Sequence, residues 1–273
     1  MDRQVLLICT DVHKNVDNVK RMQEDIKSRG VVPDVVICCG DIADLATEHF
    51  GEDGLEESAK IDMEHVLAAL AKIGTVIFVP GNHDPSSSYL DSPTTIPNTI
   101  NLHRQAHAAY PNLMIWGFGG SVPAFKNNAL FWEGKPFDTE EAFASSFQPW
   151  ERDLRSAAET ATSTADYVLL THVGPEGTDT VAYPGESEAD APIYMGSSTL
   201  RSHLQSSFAK EHCLLHLHGH THPAPGISNV NGIPVCNVGS LNEGRYGLVE
   251  LRFGADSQRL SLASVQLCRL PEP

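Results

Sequence analysis

The chain has 273 residues, 41% hydrophobic and 20% charged, with 35 acidic against 19 basic side chains and a formal net charge of −16. A chain of this length and apolar content can bury roughly 70–75% of its unfolded surface, which excludes a disordered or fibrous protein. Acidity this strong repels nucleic-acid phosphates and anionic membranes, and no Lys/Arg-rich run offsets it, so neither a nucleic-acid polymer nor a membrane is expected as a partner.

A small phosphate ester stays open as a partner, because bound cations can reverse the charge of a single pocket. The six cysteines, Cys9, Cys38, Cys39, Cys213, Cys236 and Cys268, form no CxxC pair. Those within apolar runs read as reduced core residues that act as small hydrophobes. The first apolar run, Val5–Cys9, is too short for a signal-peptide core or a membrane span, and no longer one follows. A cytoplasmic location is expected.

Short apolar runs predict buried strands at Val5–Cys9, Val35–Cys39, Val76–Val79, Leu113–Trp116, Tyr167–Leu170, Leu214–Leu217, Ile233–Val238 and Tyr246–Arg252. Amphipathic segments lie between them. Val19, Met22 and Ile26 share a helical face, and Gly30 is placed to end that helix. Met63, Val66, Leu67 and Leu70 repeat the same spacing. Asp138 with Glu141 has the form of a capping box, and Pro149 is placed to kink or end the helix it opens. Leu200, Leu204 and Phe208 predict a fourth helix. Tyr246–Arg252 and Leu260–Leu267, joined through the four residues from Gly254, predict a hairpin.

Early alternation of strand and helix implies parallel strands with right-handed crossovers. With a strand-rich last third, the pattern suits an α/β protein of two packed sheets with helices outside. No linker or repeat interrupts it, so one domain over residues 1–273 is expected. Residues Gly174 to Gly196 lack periodicity, and a loop this long inside a compact domain is usually functional. It is expected to help select a substrate.

Five predicted strands end alike, an apolar stretch giving way to metal-ligand residue types. Asp11 and His13 follow the first, Asp41 the second, Asn82, His83 and Asp84 the third, His172 the fourth, and His220 and His222 the fifth. Ligands bind beyond the carboxyl ends of strands in α/β sheets, so the five clusters should converge. Asp, His and Asn donors suit Mn²⁺, Fe or Zn²⁺, and the absence of thiolate argues against a structural zinc site. On an extended chain, Asp11 and His13 would face one side, as would His220 and His222. Asp and Asn beyond strands often serve only as turns and caps, a reading that suits one cluster but not five. Seven donors, Asp11, His13, Asp41, Asn82, His172, His220 and His222, are too many for one ion and suit two sharing a carboxylate.

The ordered set Asp11-x-His13, Gly40-Asp41, Gly81-Asn82-His83-Asp84, His172 and Gly219-His220-Thr221-His222 resembles the calcineurin-like metallophosphoesterase superfamily. The resemblance implies a four-layer α-β-β-α fold with two packed mixed β-sheets flanked by helices. It also implies a dinuclear-metal phosphoesterase that cleaves a small phosphomonoester or phosphodiester with a hydroxide bridging two divalent metals, Mn²⁺ before Fe or Zn²⁺. By the same resemblance, Asp11, His13 and His222 would bind one metal, Asn82, His172 and His220 the other, and Asp41 both. His83 would sit over the substrate without binding metal, stabilising the oxyanion or protonating the leaving group, with Asp84 orienting it.

Departures narrow the family. Protein Ser/Thr phosphatases carry Arg soon after the second motif and Glu after Gly-Asn-His, whereas Asp44, Leu45 and Asp84 stand here. Purple acid phosphatases place a ligand tyrosine where Asp44 is. The segments His172–Thr178, His218–His222, Asn237–Ser240 and Glu243-Gly244 resemble small bacterial and archaeal phosphoesterases, in which Pro usually stands where Gly174 does. A cyclic-nucleotide or other nucleotide phosphodiesterase uses the same ligands and stays open, as does a non-catalytic scaffold on this fold.

Other residues carry two readings. Asn237, Gly239 and Ser240 either line the site through backbone N–H groups or close a tight turn. His216 and His218 either support the ligands or simply pack beneath them. His49, His65, His103, His107, His203 and His212 read as surface or helix residues. Trp116 to Gly120 reads as a tight loop needing close backbone approach.

Overall fold

The computed structural model describes residues 3–90, 94–110, 113–126, 129–160, 166–184, 192–253 and 259–272. The first half alternates β1 (Arg3–Cys9), α1 (Val16–Ser28), β2 (Val35–Cys38), α2 (Asp53–Leu70) and β3 (Val76–Phe78), then runs through β4 (Thr99–Asn101), β5 (Gln105–Tyr110) and β6 (Leu113–Phe118). The antiparallel pair β7 (Ala124–Lys126) and β8 (Ala129–Trp132) precedes α3 (Glu140–Thr160) and β9 (Asp166–Thr171). After these come β10 (Ala182–Tyr183), β11 (Ile193–Tyr194), α4 (Ser198–Leu204), α5 (Ser207–His212) and β12 (Cys213–His218). The chain closes with β13 (Gly226–Val230), β14 (Ile233–Asn237), β15 (Arg245–Phe253) and β16 (Leu260–Arg269).

Two mixed sheets of six strands result, in the orders β16-β15-β1-β2-β3-β4 and β13-β14-β12-β9-β6-β5. Strands β1 to β4 run parallel in the first, and β6, β9, β12 and β14 in the second, with antiparallel partners at the edges. The side-chain alternation of β1 explains the layering. Leu6 and Ile8 face the core between the sheets with Ile115, Leu170 and Leu217, while Val5, Leu7 and Cys9 pack against α1 and α2. On the far side, Trp116, Tyr167 and Leu169 pack against Phe143, Phe147 and Leu200 of α3 and α4. Central strands buried on both faces read as unbroken apolar runs, which is why they were legible. The expected α-β-β-α layering is therefore present.

Helix α1 starts where the Asn15 side chain accepts from the Asn18 N–H at 3.0 Å and ends before Gly30, whose φ of 66° suits glycine. Helix α3 departs from expectation at its cap, and at Pro149 the helix does not end. Thr139, not Asp138, caps it, its hydroxyl accepting from the Ala142 N–H at 3.0 Å. The helix also runs through Pro149 to Thr160. Phe143, Phe147 and Trp150 are buried on both sides of the proline, and tertiary packing outweighs the lost backbone bond. The predicted fourth helix is two, α4 and α5, because Ser206 starts a new one by accepting from the Ala209 N–H. The predicted hairpin pairs β15 with β16, while its turn lies outside the described residues. Strands β4, β5, β7, β8, β10, β11 and β13 were not expected. They are short or half-buried, so their alternation is weak.

His103 is buried in the turn before β5, against the surface or helix reading, and His107 lies on β5 itself. The Gly119 N–H donates to His103 Nδ1 at 3.1 Å, and burial pushes this ring down from 6.5 to about 3. The unfolded chain binds a proton that the folded one refuses, so this stabilisation is complete above pH 6.5 and is lost as pH falls toward 3. His103→Asn keeps an acceptor without the proton. Its melting temperature is expected to fall less steeply than that of the wild type between pH 6.5 and pH 4, by calorimetry.

Candidate metal centre

All seven predicted donors meet beyond the ends of β1, β2 and β3 from one sheet and of β9 and β12 from the other. Backbone bonds stitch these loops together. Asp11 N–H donates to the Gly40 carbonyl at 2.9 Å, Val12 N–H to that of Asp41 at 2.8 Å, and Gly219 N–H to that of His172 at 3.0 Å. The chain is not extended here, contrary to expectation. Asp11, His13, Asp41 and His220 have φ of 51°, 46°, 51° and 68°, a left-handed region that non-glycine residues occupy mainly at functional sites. The strands stop at Cys9 and His218, and left-handed turns, rather than strand pleating, aim the side chains. Gly219 must be glycine, because a Cβ there would overlap the Thr10 hydroxyl and the Asp11 carboxylate.

Two groups of donor atoms form. Asp11, His13, Asp41 and His222 make one, and Asp41, His172 and His220 the other, with Asp41 shared. His222 Nε2 is 3.1 Å from Asp11 Oδ1, and His13 Nε2 is 3.2 Å from His222 Nε2. His172 Nε2 lies 3.3 Å from Asp41 Oδ2 and 3.0 Å from Asn82 Oδ1, which places Asn82 beside the second group.

The donor chemistry fits cations. His172 Nδ1 donates to the Cys39 carbonyl at 2.8 Å and His13 Nδ1 to Asp44 Oδ1 at 3.0 Å. In each neutral ring Nε2 then carries the lone pair. His13 Nε2 and His222 Nε2, 3.2 Å apart, and His172 Nε2 and Asn82 Oδ1, 3.0 Å apart, are close enough to share a cation. Neither ring nitrogen of buried His220 has a partner, whereas buried polar atoms are nearly always paired.

The electrostatics agree. Burial opposes charge on His13, yet the Asp44 hydrogen bond and the nearby carboxylates raise it to about 9; His172 is likewise raised to about 9 against burial, by Asp41 and Asp11. Burial also opposes ionisation of Asp11, but His222 and His172 bring it down to about 2. Burial carries His220 down to about 3, which keeps it a neutral donor.

His83 stands apart from both donor groups. Its Nδ1 donates to the Leu45 carbonyl at 2.8 Å, and its ring neighbours those of His13 and Trp132 at 5.2 and 6.1 Å. The expectation that Asp84 orients His83 fails. Asp84 instead accepts from the Ile42, Ala43 and Gly81 N–H groups at 2.7–2.9 Å. It is a buried clamp joining the second and third ligand loops, and burial with the Asp41 charge raises it to about 6.

Sequence reasoning missed Asp44 as a partner of His13, although it weighed that position as a family marker. A carboxylate on the far ring nitrogen fixes the orientation and basicity of a ligating histidine, typically worth about 10–100-fold in metal affinity. Asp44→Ala is expected to lose affinity for divalent metal within that range, by calorimetry, with the melting temperature of the metal-free protein little changed.

The remaining readings separate clearly. The Ser240 hydroxyl donates to the Asp11 carbonyl, and the Asn237 amide to the Thr180 and Thr221 carbonyls. This stretch is thus a tight turn buttressing the first ligand loop. His218 Nε2 pairs with the Thr180 hydroxyl at 2.9 Å and His216 Nε2 with the Thr171 hydroxyl at 2.7 Å, a polar layer beneath His172 and His220. Gly120 N–H donates to the Pro80 carbonyl at 2.8 Å, the close approach expected of that loop. Of Gly174–Gly196, residues 185–191 lie outside the described residues. The described part carries β10, β11 and a bridge from Pro175 to Ser197.

In this α-β-β-α sandwich the strand ends gather Asp, Asn and His donors around one shared carboxylate, an arrangement that can hold metal ions. The family model for calcineurin-like phosphoesterases matches residues 5–224, most of the chain, and the protein belongs to that family. No curated protein matches the chain. Solved structures share the fold. TT1561 of Thermus thermophilus superposes with a TM-score of 0.59 at 13% identity, over 99% of this chain and all of its own. A dimetal phosphatase from Danio rerio gives 0.54 at 10% identity, over 98% and 99% of the two chains. GAP50, the anchor in the inner membrane complex of Plasmodium, gives 0.53 at 11% identity, over 100% and 90%. Among the described residues, no helix is long and apolar enough to cross a membrane.

Proposed function

We propose that the protein hydrolyses a small phosphomonoester or phosphodiester with two divalent cations, Mn²⁺ being the first to test. The observation that carries this reading is Asp41, whose single carboxylate belongs to both donor groups while His83 belongs to neither. Asp11, His13 and His222 would hold one cation, and Asn82, His172 and His220 the other. Cations so held supply Lewis-acid polarisation of a phosphoryl oxygen and a nucleophile at neutral pH.

The chain's own groups do the rest. The Leu45 carbonyl holds the Nδ1 proton of His83, so Nε2 is the nitrogen that can give a proton to the departing oxygen. Asp41 Oδ1 accepts from the His83 backbone N–H at 2.8 Å, which ties the proton donor to the ligand set. Asp84 holds the loops of both in register. The net charge of −16 disfavours a polymeric nucleic acid as substrate. All six cysteines are free and buried, which suits a reducing compartment such as the cytoplasm.

The test is turnover of chromogenic mono- and diesters by protein purified with Mn²⁺, together with its metal content. Hydrolysis with about two ions per chain is expected. Protein that holds no metal and turns over neither ester would favour a scaffold on this fold.

A further inference from the structure

Trp132, at the end of β8, reaches the ligand rim from a segment outside the five strand-end loops. Its ring centroid lies 5.5 Å from that of His220 and 6.1 Å from that of His83, T-shaped in both cases. Its indole Nε1 is buried and has no hydrogen-bond partner. An indole nitrogen only donates, and a buried one normally finds an acceptor, so this N–H lacks the acceptor expected of it. Ordinary packing accounts for the ring, which rests on Ala124, Ile193 and Met195. It does not account for the N–H.

The surroundings say what kind of molecule brings that acceptor. On the same strand, the Phe131 ring sits 5.6 Å from that of Tyr183 and is 39% exposed. Phe125 and Leu130, paired across β7 and β8, are 59% and 54% exposed. The β7–β8 pair that carries Trp132 is therefore an aromatic and aliphatic lip on an otherwise acidic chain. Such a lip offers little to a polyol and much to a flat ring.

We infer that Trp132 determines substrate specificity: it receives phosphate esters whose organic group is a planar ring, aryl or nucleobase. The ring packs beside the indole while Nε1 donates to an oxygen on phosphorus. The inference rests on the phosphoesterase reading of the site and names the substrate class for it.

Calorimetry on the full chain loaded with Mn²⁺ tests it with two non-hydrolysable probes, phenylphosphonate and methylphosphonate. The wild type should bind the phenyl probe at least tenfold tighter, about the scale of one aromatic stack. In Trp132→Leu that ratio should fall to about one, and in Trp132→Phe, which keeps a ring, most of it should remain. Trp116 and Trp150 are 3% and 8% exposed in the outer core, so a change in tryptophan emission with the phenyl probe reports Trp132 without any variant. Wild-type protein with no phenyl preference and unchanged emission overturns the inference, as does a preference undiminished in Trp132→Leu. Ring-selective binding without turnover of any ester keeps Trp132 in this role and sinks the hydrolase reading. Turnover without ring selectivity does the reverse.

Discussion

Asp41→Asn is expected to lower ester hydrolysis by a hundredfold or more and to reduce bound divalent metal, while the chain stays folded. The loss follows from the shared carboxylate. One Asp41 oxygen lies 3.3 Å from His172 Nε2 and 3.9 Å from His13 Nε2, so a single charge serves both donor groups. The surrounding histidines hold this carboxyl well below the usual range despite its burial. An amide removes that charge, and with it the Coulomb attraction for two cations in a poorly screened site. The fold should survive because asparagine tolerates the left-handed φ of 51° and can still accept from the His83 N–H. Metal analysis, turnover and a thermal melt decide the matter together. Unchanged metal content with unchanged turnover would remove Asp41 from the centre of the chemistry.

His83→Ala should act differently. Turnover is expected to fall by about 10²–10⁴-fold, the usual scale for a lost general acid, with metal content unchanged, because His83 lies in neither donor group. Losing the bond to the Leu45 carbonyl frees one acceptor at a partly open position, so the melting temperature should move by only a few degrees. A substrate with a good leaving group, such as a nitrophenyl ester, should suffer less than an alkyl ester, since it needs less protonation. Equal losses on both would point to positioning rather than proton donation, and intact turnover would end the acid assignment.

The contrast between the two variants mirrors what could be read in advance. The ligands were legible because each follows a strand buried on both faces. An unbroken apolar run that stops at Asp, Asn or His marks a strand end on a functional rim. The partners of those ligands were not legible in the same way. Asp44 lies 31 positions from His13, and the Leu45 carbonyl 38 from the His83 ring. Nothing local distinguishes either from a loop residue. Asp84 was misread for a related reason: its place after His83 suggests a side-chain partner, but the turn points its carboxylate back onto backbone N–H groups. Trp132 escaped because β8 is a four-residue strand whose other members are exposed, so no periodicity announced it. The helix break at Ser206 and the continuation through Pro149 turned on a cap and on packing, which local propensity weighs poorly.

The donors come from both sheets: Asp11, His13, Asp41 and Asn82 from one, and His172, His220 and His222 from the other. Metal held there would act as a rivet through the sandwich at one edge. At the opposite edge the two layers are joined by apolar side chains such as Leu251 and Leu113 and by the ion pair of Arg259 with Asp166. A chelator would then unfasten one side of the layered stack first, and the shape of the mouth through which a substrate enters would follow whether the metals are in place.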